Sequence, residues 1–225
     1  MNNFRDVKRV GAAVIMNAGV FGSFGKVITM VRRIFLLFAA LIALSACAAP
    51  TTSSISSEAG TVLEPPAPIV DFSLPSSLGR PYGLADMRGK PALIFFGYTF
   101  CPDVCPTTLA DFRRIKADLG AKADSVNFIF ISVDPERDTP EVLARHISAF
   151  DPAFIGLQGD EATLKKIGTT FGLYYQKNAP RDDGSYLVDH SSAVYLADSD
   201  GQIRVVYSYG TAYEAIAKDV TKFIP

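Results

Sequence analysis

The chain has 225 residues, 48% of them hydrophobic, with 22 Lys and Arg against 23 Asp and Glu. That is enough for one domain of ordinary size plus a targeting segment, in a globular composition. Residues 1–46 hold six of the basic side chains and one acid, leaving the remainder at a net charge of −6; an acidic folded part lacks the basic face that nucleic-acid phosphates require.

The N-terminal residues 1–46 read as a signal region. Arg32 and Arg33 precede an unbroken apolar run, residues 34–44, followed by Ser45, Ala46 and Cys47. A positive start, a short apolar middle and small residues before a cleavage point form the three-part pattern of a secretory signal. The run is short against the roughly 20 residues of a membrane span. Leu44-Ser45-Ala46-Cys47 resembles the bacterial lipobox, in which the cysteine is lipidated and becomes the mature N-terminus; an uncleaved anchor running on into Ala48 and Ala49 is the alternative. Either way the domain is expected to face a periplasmic or other extracytoplasmic, disulfide-permissive space. Met30, just ahead of Arg32 and Arg33, makes a better start for such a signal than Met1. Residues 47–63 read as a flexible tether, small and polar and leading into Pro65, Pro66 and Pro68. The folded domain is assigned to residues 64–225.

Within the domain, residues 70–74 are a strand candidate that pairs back with 82–84 as a hairpin. Residues 92–96, Ala-Leu-Ile-Phe-Phe, read as a strand buried on both faces and ended by Gly97. Cys101 and Cys105 follow, each succeeded by a proline. The economical reading is a tight turn between the cysteines, then a helix with Pro106 at its first position. It runs to Leu119 with Leu109, Phe112 and Ile115 turned inward. Both sulfurs then sit at a helix N-terminus, where the dipole favours thiolate over thiol.

Residues 126–133 form a second apolar strand, and Thr139 and Pro140 open a helix that continues through Phe150. A helix over 162–171, a strand over 173–176 and a polar loop over 178–185 come next. Strands over 192–197 and 203–207 are joined by the hairpin turn Asp198-Ser199-Asp200-Gly201, and a helix over 212–223 closes the chain. Two early β-α units followed by a hairpin and a helix predict an α/β domain with a thioredoxin-like fold, a central mixed β-sheet flanked by helices.

The cysteine pair is read as functional. A bridge between Cys101 and Cys105 would close a tiny loop and add little stability, whereas paired thiolates after a buried strand suit a metal or an electron acceptor. The three-residue spacer differs from that of thioredoxins, which weakens the case for oxidoreductase chemistry. His190, one of two histidines, lies in Val188-Asp189-His190-Ser191-Ser192. In a thioredoxin-like layout that loop packs against the cysteine turn. Two thiolates and an imidazole suit Cu(I), whereas zinc would want a fourth ligand; by residue type alone, a lone histidine is more often structural. His146 reads as a helix-boundary residue with no catalytic duty. Asp134-Pro135-Glu136-Arg137-Asp138-Thr139-Pro140 sits where ligands bind in open α/β sheets. A turn and a helix cap explain most of it, with a supporting role for Asp134 or Asp138 beside the site as the weaker reading.

Three segments, Gly97-Tyr98-Thr99-Phe100-Cys101-Pro102-Asp103-Val104-Cys105-Pro106, Ser132-Val133-Asp134-Pro135-Glu136-Arg137-Asp138-Thr139-Pro140 and Asp189-His190-Ser191, together resemble the Sco/SenC family. The resemblance covers roughly residues 64–224. It implies a membrane-tethered copper protein with a thioredoxin-like fold that helps assemble the copper centre of cytochrome c oxidase. Carried onto this chain, it implies one copper, Cu(I) or Cu(II), held by Cys101, Cys105 and His190. The partner would be the copper-bearing subunit of the oxidase or another copper protein, met at a membrane through a lipid anchor on Cys47. Many relatives use a transmembrane helix instead. The second reading is a thiol-disulfide oxidoreductase in which Cys101 and Cys105 are the redox-active pair. Peroxide chemistry is disfavoured, because Tyr98 and Pro102 stand where peroxiredoxins carry threonine.

Overall fold

The structure, a computed structural model, describes residues 56–225. The signal region, the lipobox and Cys47 lie outside the described residues. In chain order the strands are β1 (Thr61–Pro68), β2 (Ser73–Leu74), β3 (Tyr82–Gly83), β4 (Ala92–Gly97), β5 (Asn127–Ser132), β6 (Ile155–Gln158), β7 (Tyr175–Lys177), β8 (Val188–His190), β9 (Val194–Ala197) and β10 (Gln202–Tyr207). The α-helices are α1 (Leu84–Met87), α2 (Val104–Leu119), α3 (Pro140–Ser148), α4 (Glu161–Phe171) and α5 (Tyr213–Thr221), with a 3-10 helix at Gly120–Ser125. None of these helices is long and apolar enough to cross a membrane.

Six strands form one mixed sheet in the order β1-β10-β9-β4-β5-β6. β4 runs parallel to β5 and β5 to β6, while β9 lies antiparallel to β4, β10 to β9 and β1 to β10. Every residue of β4 is buried, and its alternation divides the interior in two. Ala92, Ile94 and Phe96 join the core closed by α1 and α4, through Leu84, Met87, Leu164, Ile167 and Phe171. Leu93 and Phe95 join the core closed by α2, α3 and α5, through Leu109, Phe112, Ile115, Leu143, Ile147, Ile216 and Val220. This is the central mixed sheet flanked by helices that the sequence predicts. Burying a side chain such as Phe112 contributes about 1.5–3 kcal/mol, so the inward stripe of α2 anchors the helix that carries Cys105.

The helix ends follow their capping residues. Thr139 caps α3 by accepting the Val142 N–H, with Pro140 in the first turn. Asp160 caps α4 by accepting the Thr163 N–H, and Gly172 ends that helix in the left-handed conformation at φ 59°.

Several elements depart from the sequence reading. The strand predicted over 70–74 shrinks to β2, and the one over 173–176 moves to β7. β6 and β8 lie outside the strands that the sequence predicts. β6 is four residues with Gly156 inside, and a Cβ there would meet Ile147 Cδ1 at 3.0 Å and Leu143 Cβ at 3.1 Å. That glycine admits α3 against the sheet and hides the strand pattern. The helix after the cysteines begins at Val104 rather than Pro106. Pro106 is tolerated at the third helical position because the first four N–H groups of a helix have no intrahelical partner.

The tether reading of 47–63 also ends too late. β1 starts at Thr61 and pairs with β10, Thr61 opposite Val206 and Pro68 opposite Gln202, with a bulge between Val62 and Ala67. Its prolines are accommodated because β1 is an edge strand and the bulge removes ladder hydrogen bonds. Ahead of it, the fully buried Asp219 carboxylate accepts the Ser57 hydroxyl at 2.6 Å, the Glu58 N–H at 3.0 Å and the buried Tyr207 hydroxyl at 3.1 Å. A buried carboxylate with this many donors fixes the chain as far back as Ser57. Asp219→Ala would leave the Tyr207 hydroxyl buried without a partner, and should lower the free energy of unfolding by about 1–3 kcal/mol in chemical denaturation. An unchanged midpoint would contradict this role.

Candidate metal centre

The apolar run of β4 drives the chain to the end of the sheet, where Gly97 lets it pass directly over Cys105. A Cβ at Gly97 would meet the Cys105 sulfur at 2.6 Å, so only glycine leaves room for the thiol. The chain turns at once, the Cys101 N–H donating to the Tyr98 carbonyl at 3.2 Å. Cys101 precedes α2 and is partly exposed, whereas Cys105 lies in its first turn and is fully buried. Both are free thiols.

His190 arrives from the other side on the short hairpin of β7 and β8, in which it pairs with Tyr175. It is therefore held by a strand of its own, not by a loop leading into β9. The ring stands edge-on to Phe95 and Tyr98 at centroid distances of 6.0 and 5.7 Å. Nδ1 lies 2.9 Å from the Ser191 carbonyl oxygen, and Nε2 lies 3.5 Å from the Cys105 sulfur. A carbonyl can only accept, so Nδ1 carries the proton and Nε2 turns its lone pair to the sulfurs. The two sulfurs and a ring nitrogen of His190 fall within 4.8 Å of one another, the one such cluster of cysteine, histidine and acidic side chains among the described residues. His146 is not part of it. Its ring packs between Phe130 and Phe150 with Nε2 buried and unpartnered, and burial holds its pKa below the usual value.

The cysteine turn is clamped from the loop after β5. Asp138, fully buried, accepts the Thr99 N–H at 2.9 Å, the Thr99 hydroxyl at 2.5 Å and the Ser132 hydroxyl at 2.6 Å. Asp134 pairs with Arg137 Nε at 2.5 Å and accepts the Tyr186 hydroxyl at 2.8 Å.

The SCO1/SenC family profile matches residues 62–225. The chain belongs to the SCO1/SenC family. It is similar to the SCO2-like protein of Rickettsia prowazekii, 41% identical over 132 residues, 58% of this chain and 64% of that one. It is also similar to the mitochondrial protein SCO2 homolog of Bos taurus, 37% identical over 154 residues, 68% of this chain and 58% of that one. The chain thus spans about three fifths of the length of these curated relatives. Among solved structures, Bradyrhizobium japonicum ScoI with copper bound is 42% identical at a TM-score of 0.64, covering 70% of this chain and 99% of that one. Apo Sco1 of Thermus thermophilus is 39% identical at a TM-score of 0.66, covering 75% and 99%. The fold of this SCO1/SenC chain is accordingly thioredoxin-like.

The two sulfurs of the SCO1/SenC site differ electrostatically. The Cys101 thiol is pushed far below the usual thiol range, chiefly by the hydrogen bond it receives from Cys105 and against the effect of partial burial. The Cys105 thiol is pushed up, by the proton it shares with Cys101 and by its burial. The two shifts run in opposite directions, so Cys101 is the more acidic sulfur of the pair.

The three soft side chains are conspicuous in the sequence, and their supports are much less so. In the sequence, Asp138 carries only the weaker reading of a supporting role, shared with Asp134. Thr99, Arg137 and Tyr186 carry no supporting role in the sequence reading, although a run of charged residues straight after a fully apolar strand marks the segment that must neutralise itself there. In the reduced, metal-free protein, iodoacetamide should modify Cys101 well before Cys105. Because the Cys101 pKa is lowered, its reactivity should persist as pH falls below the ordinary thiol range. Equal labelling of the two cysteines, resolved by peptide mass, would contradict the assignment.

Proposed function

We propose that the protein is a copper metallochaperone, with copper as its cargo, bound one ion per chain by Cys101, Cys105 and His190. The observation that carries this is the convergence of two sulfurs and an imidazole lone pair within 4.8 Å. Thiolates are the ligands Cu(I) prefers, and three donors leave one side open. Relatives whose structures hold copper, ScoI of Bradyrhizobium japonicum and Sco1 of yeast, support the choice of metal. The family resemblance supports the copper centre of cytochrome c oxidase as the destination. Exchange starts at Cys101, the sulfur open to solvent, next to Phe100, which is 57% exposed. An incoming thiolate of the partner replaces Cys101 first, while the buried Cys105 holds the ion until the second exchange. The lipobox ending at Cys47 supports a periplasmic, membrane-anchored location for the domain.

A thiol-disulfide oxidoreductase is the second reading, favoured by the opposite pKa directions of Cys101 and Cys105. There the Cys101 thiolate attacks a partner disulfide, and Cys105 resolves the mixed disulfide as it gives up its proton. The two readings share residues and separate at His190, which only the copper reading needs as a ligand.

Anaerobic Cu(I) titration against a competing chelator tests the assignment. Cys101→Ser and Cys105→Ser should each abolish tight binding, and His190→Ala should weaken it while leaving both cysteines able to form a disulfide. His146→Ala should change neither property. Wild-type affinity should fall on acidification as the ligands take up protons. Wild-type copper affinity in His190→Ala would overturn the copper reading in favour of the reductase.

A further inference from the structure

The two segments that carry the ligands do not meet only at the sulfurs. A third segment, the loop from β5 to α3, sends one side chain between them. The Arg137 guanidinium lies 3.5 Å from the ring centroid of Tyr186 and 4.6 Å from that of Phe100, with Tyr98 at 5.6 Å. Phe100 immediately precedes Cys101. Tyr186 leads into β8, and Tyr98 is the ring that stands edge-on to His190. Arg137 also donates through Nη1 to the Tyr186 carbonyl at 3.0 Å, and its Nε is fixed by Asp134. Asp134 in turn accepts the Tyr186 hydroxyl. The same cation thus lies against the turn bearing Cys101 and the hairpin bearing His190.

Beyond this cation, the hairpin leans on the core through Val188, which is buried there, and through Tyr175 packed against it. β7 and β8 form a separate two-stranded sheet of three residues each. A two-stranded ribbon of this length is not stable alone, so its position depends on what it leans against. The Lys177 pair with Glu136, at 2.5 Å, is largely solvent-exposed and contributes little. The partly buried stack of Tyr186 on Arg137, with a hydrogen bond and an ion pair on the same guanidinium, is worth more.

We propose that Arg137 is a positioning residue of the site: its stack between Phe100 and Tyr186 keeps His190 Nε2 in register with the two sulfurs. This rests on the reading of the cluster as a copper site. It also explains why a lysine would not serve at position 137. An ammonium keeps the charge opposite Asp134 but cannot lie flat between two rings while donating along its edge.

A double-mutant cycle on the whole protein tests the coupling. Arg137→Lys should weaken Cu(I) binding by about ten- to a hundredfold, the usual cost of losing a residue that orients a metal ligand. Because the effect passes through His190, Arg137→Lys combined with His190→Ala should bind no more weakly than His190→Ala alone. In the metal-free protein, amide hydrogens of β7 and β8 should exchange faster in Arg137→Lys, while those of β4 and β5 stay protected. Tyr186→Leu removes the stack and leaves the Arg137–Asp134 pair, so it carries the same expectations should Arg137→Lys fail to fold. Full addition of the two affinity losses, or wild-type exchange of the hairpin, would overturn the proposal. Failure of the wild-type protein to bind copper would refute the copper reading instead, and hairpin exchange would still decide whether Arg137 holds His190 in place.

Discussion

The arrangement of the site depends on one buried carboxylate. Asp138 has no exposed surface, and an ionised group in that position must find donors. It finds them in Ser132, at the end of β5, and in the backbone and side chain of Thr99, two residues before Cys101. The cysteine turn is therefore tied to the adjacent parallel strand by charge-assisted bonds, stronger than ordinary neutral ones. The turn cannot swing away from β5 without leaving Asp138 buried and short of donors. Preorganisation of this kind suits a site that must hold its ligands in place while empty.

The remaining geometry is built outward from that clamp. Gly97 brings the end of β4 so close to α2 that the Cys105 sulfur fills the place of its missing side chain. The hydrogen bond with Cys101, and burial there, raise the Cys105 thiol and leave Cys101 as the open, more acidic partner. His190 comes from outside the main sheet, on the hairpin of β7 and β8.

Much of this was legible in the sequence, for identifiable reasons. β4 and β5 announce themselves because strands buried on both faces read as unbroken apolar runs, and α2 and α3 because their stripes and caps are local signals. The cysteine pair stands out by its chemistry, and His190 through the family resemblance, since a lone histidine is by residue type more often structural. What escaped was written in long-range contacts. β6 is masked by Gly156, whose purpose is the approach of Leu143 and Ile147. β1 is masked by its prolines, tolerated only because of its place at the sheet edge. The hairpin carrying His190 is stabilised by Tyr186 and Arg137, 49 positions apart in the chain. Asp138 looked like one acid among several in a turn, because the Thr99 that needs it lies 39 residues earlier.

The central claim is that the two cysteines and His190 hold copper together. X-ray absorption at the copper edge of the protein loaded with a single equivalent of Cu(I) tests it most directly. The structure predicts an inner shell of two sulfurs and one imidazole nitrogen, the nitrogen disappearing in His190→Ala. A shell of sulfur alone in the wild-type protein, or one with no sulfur, would contradict it.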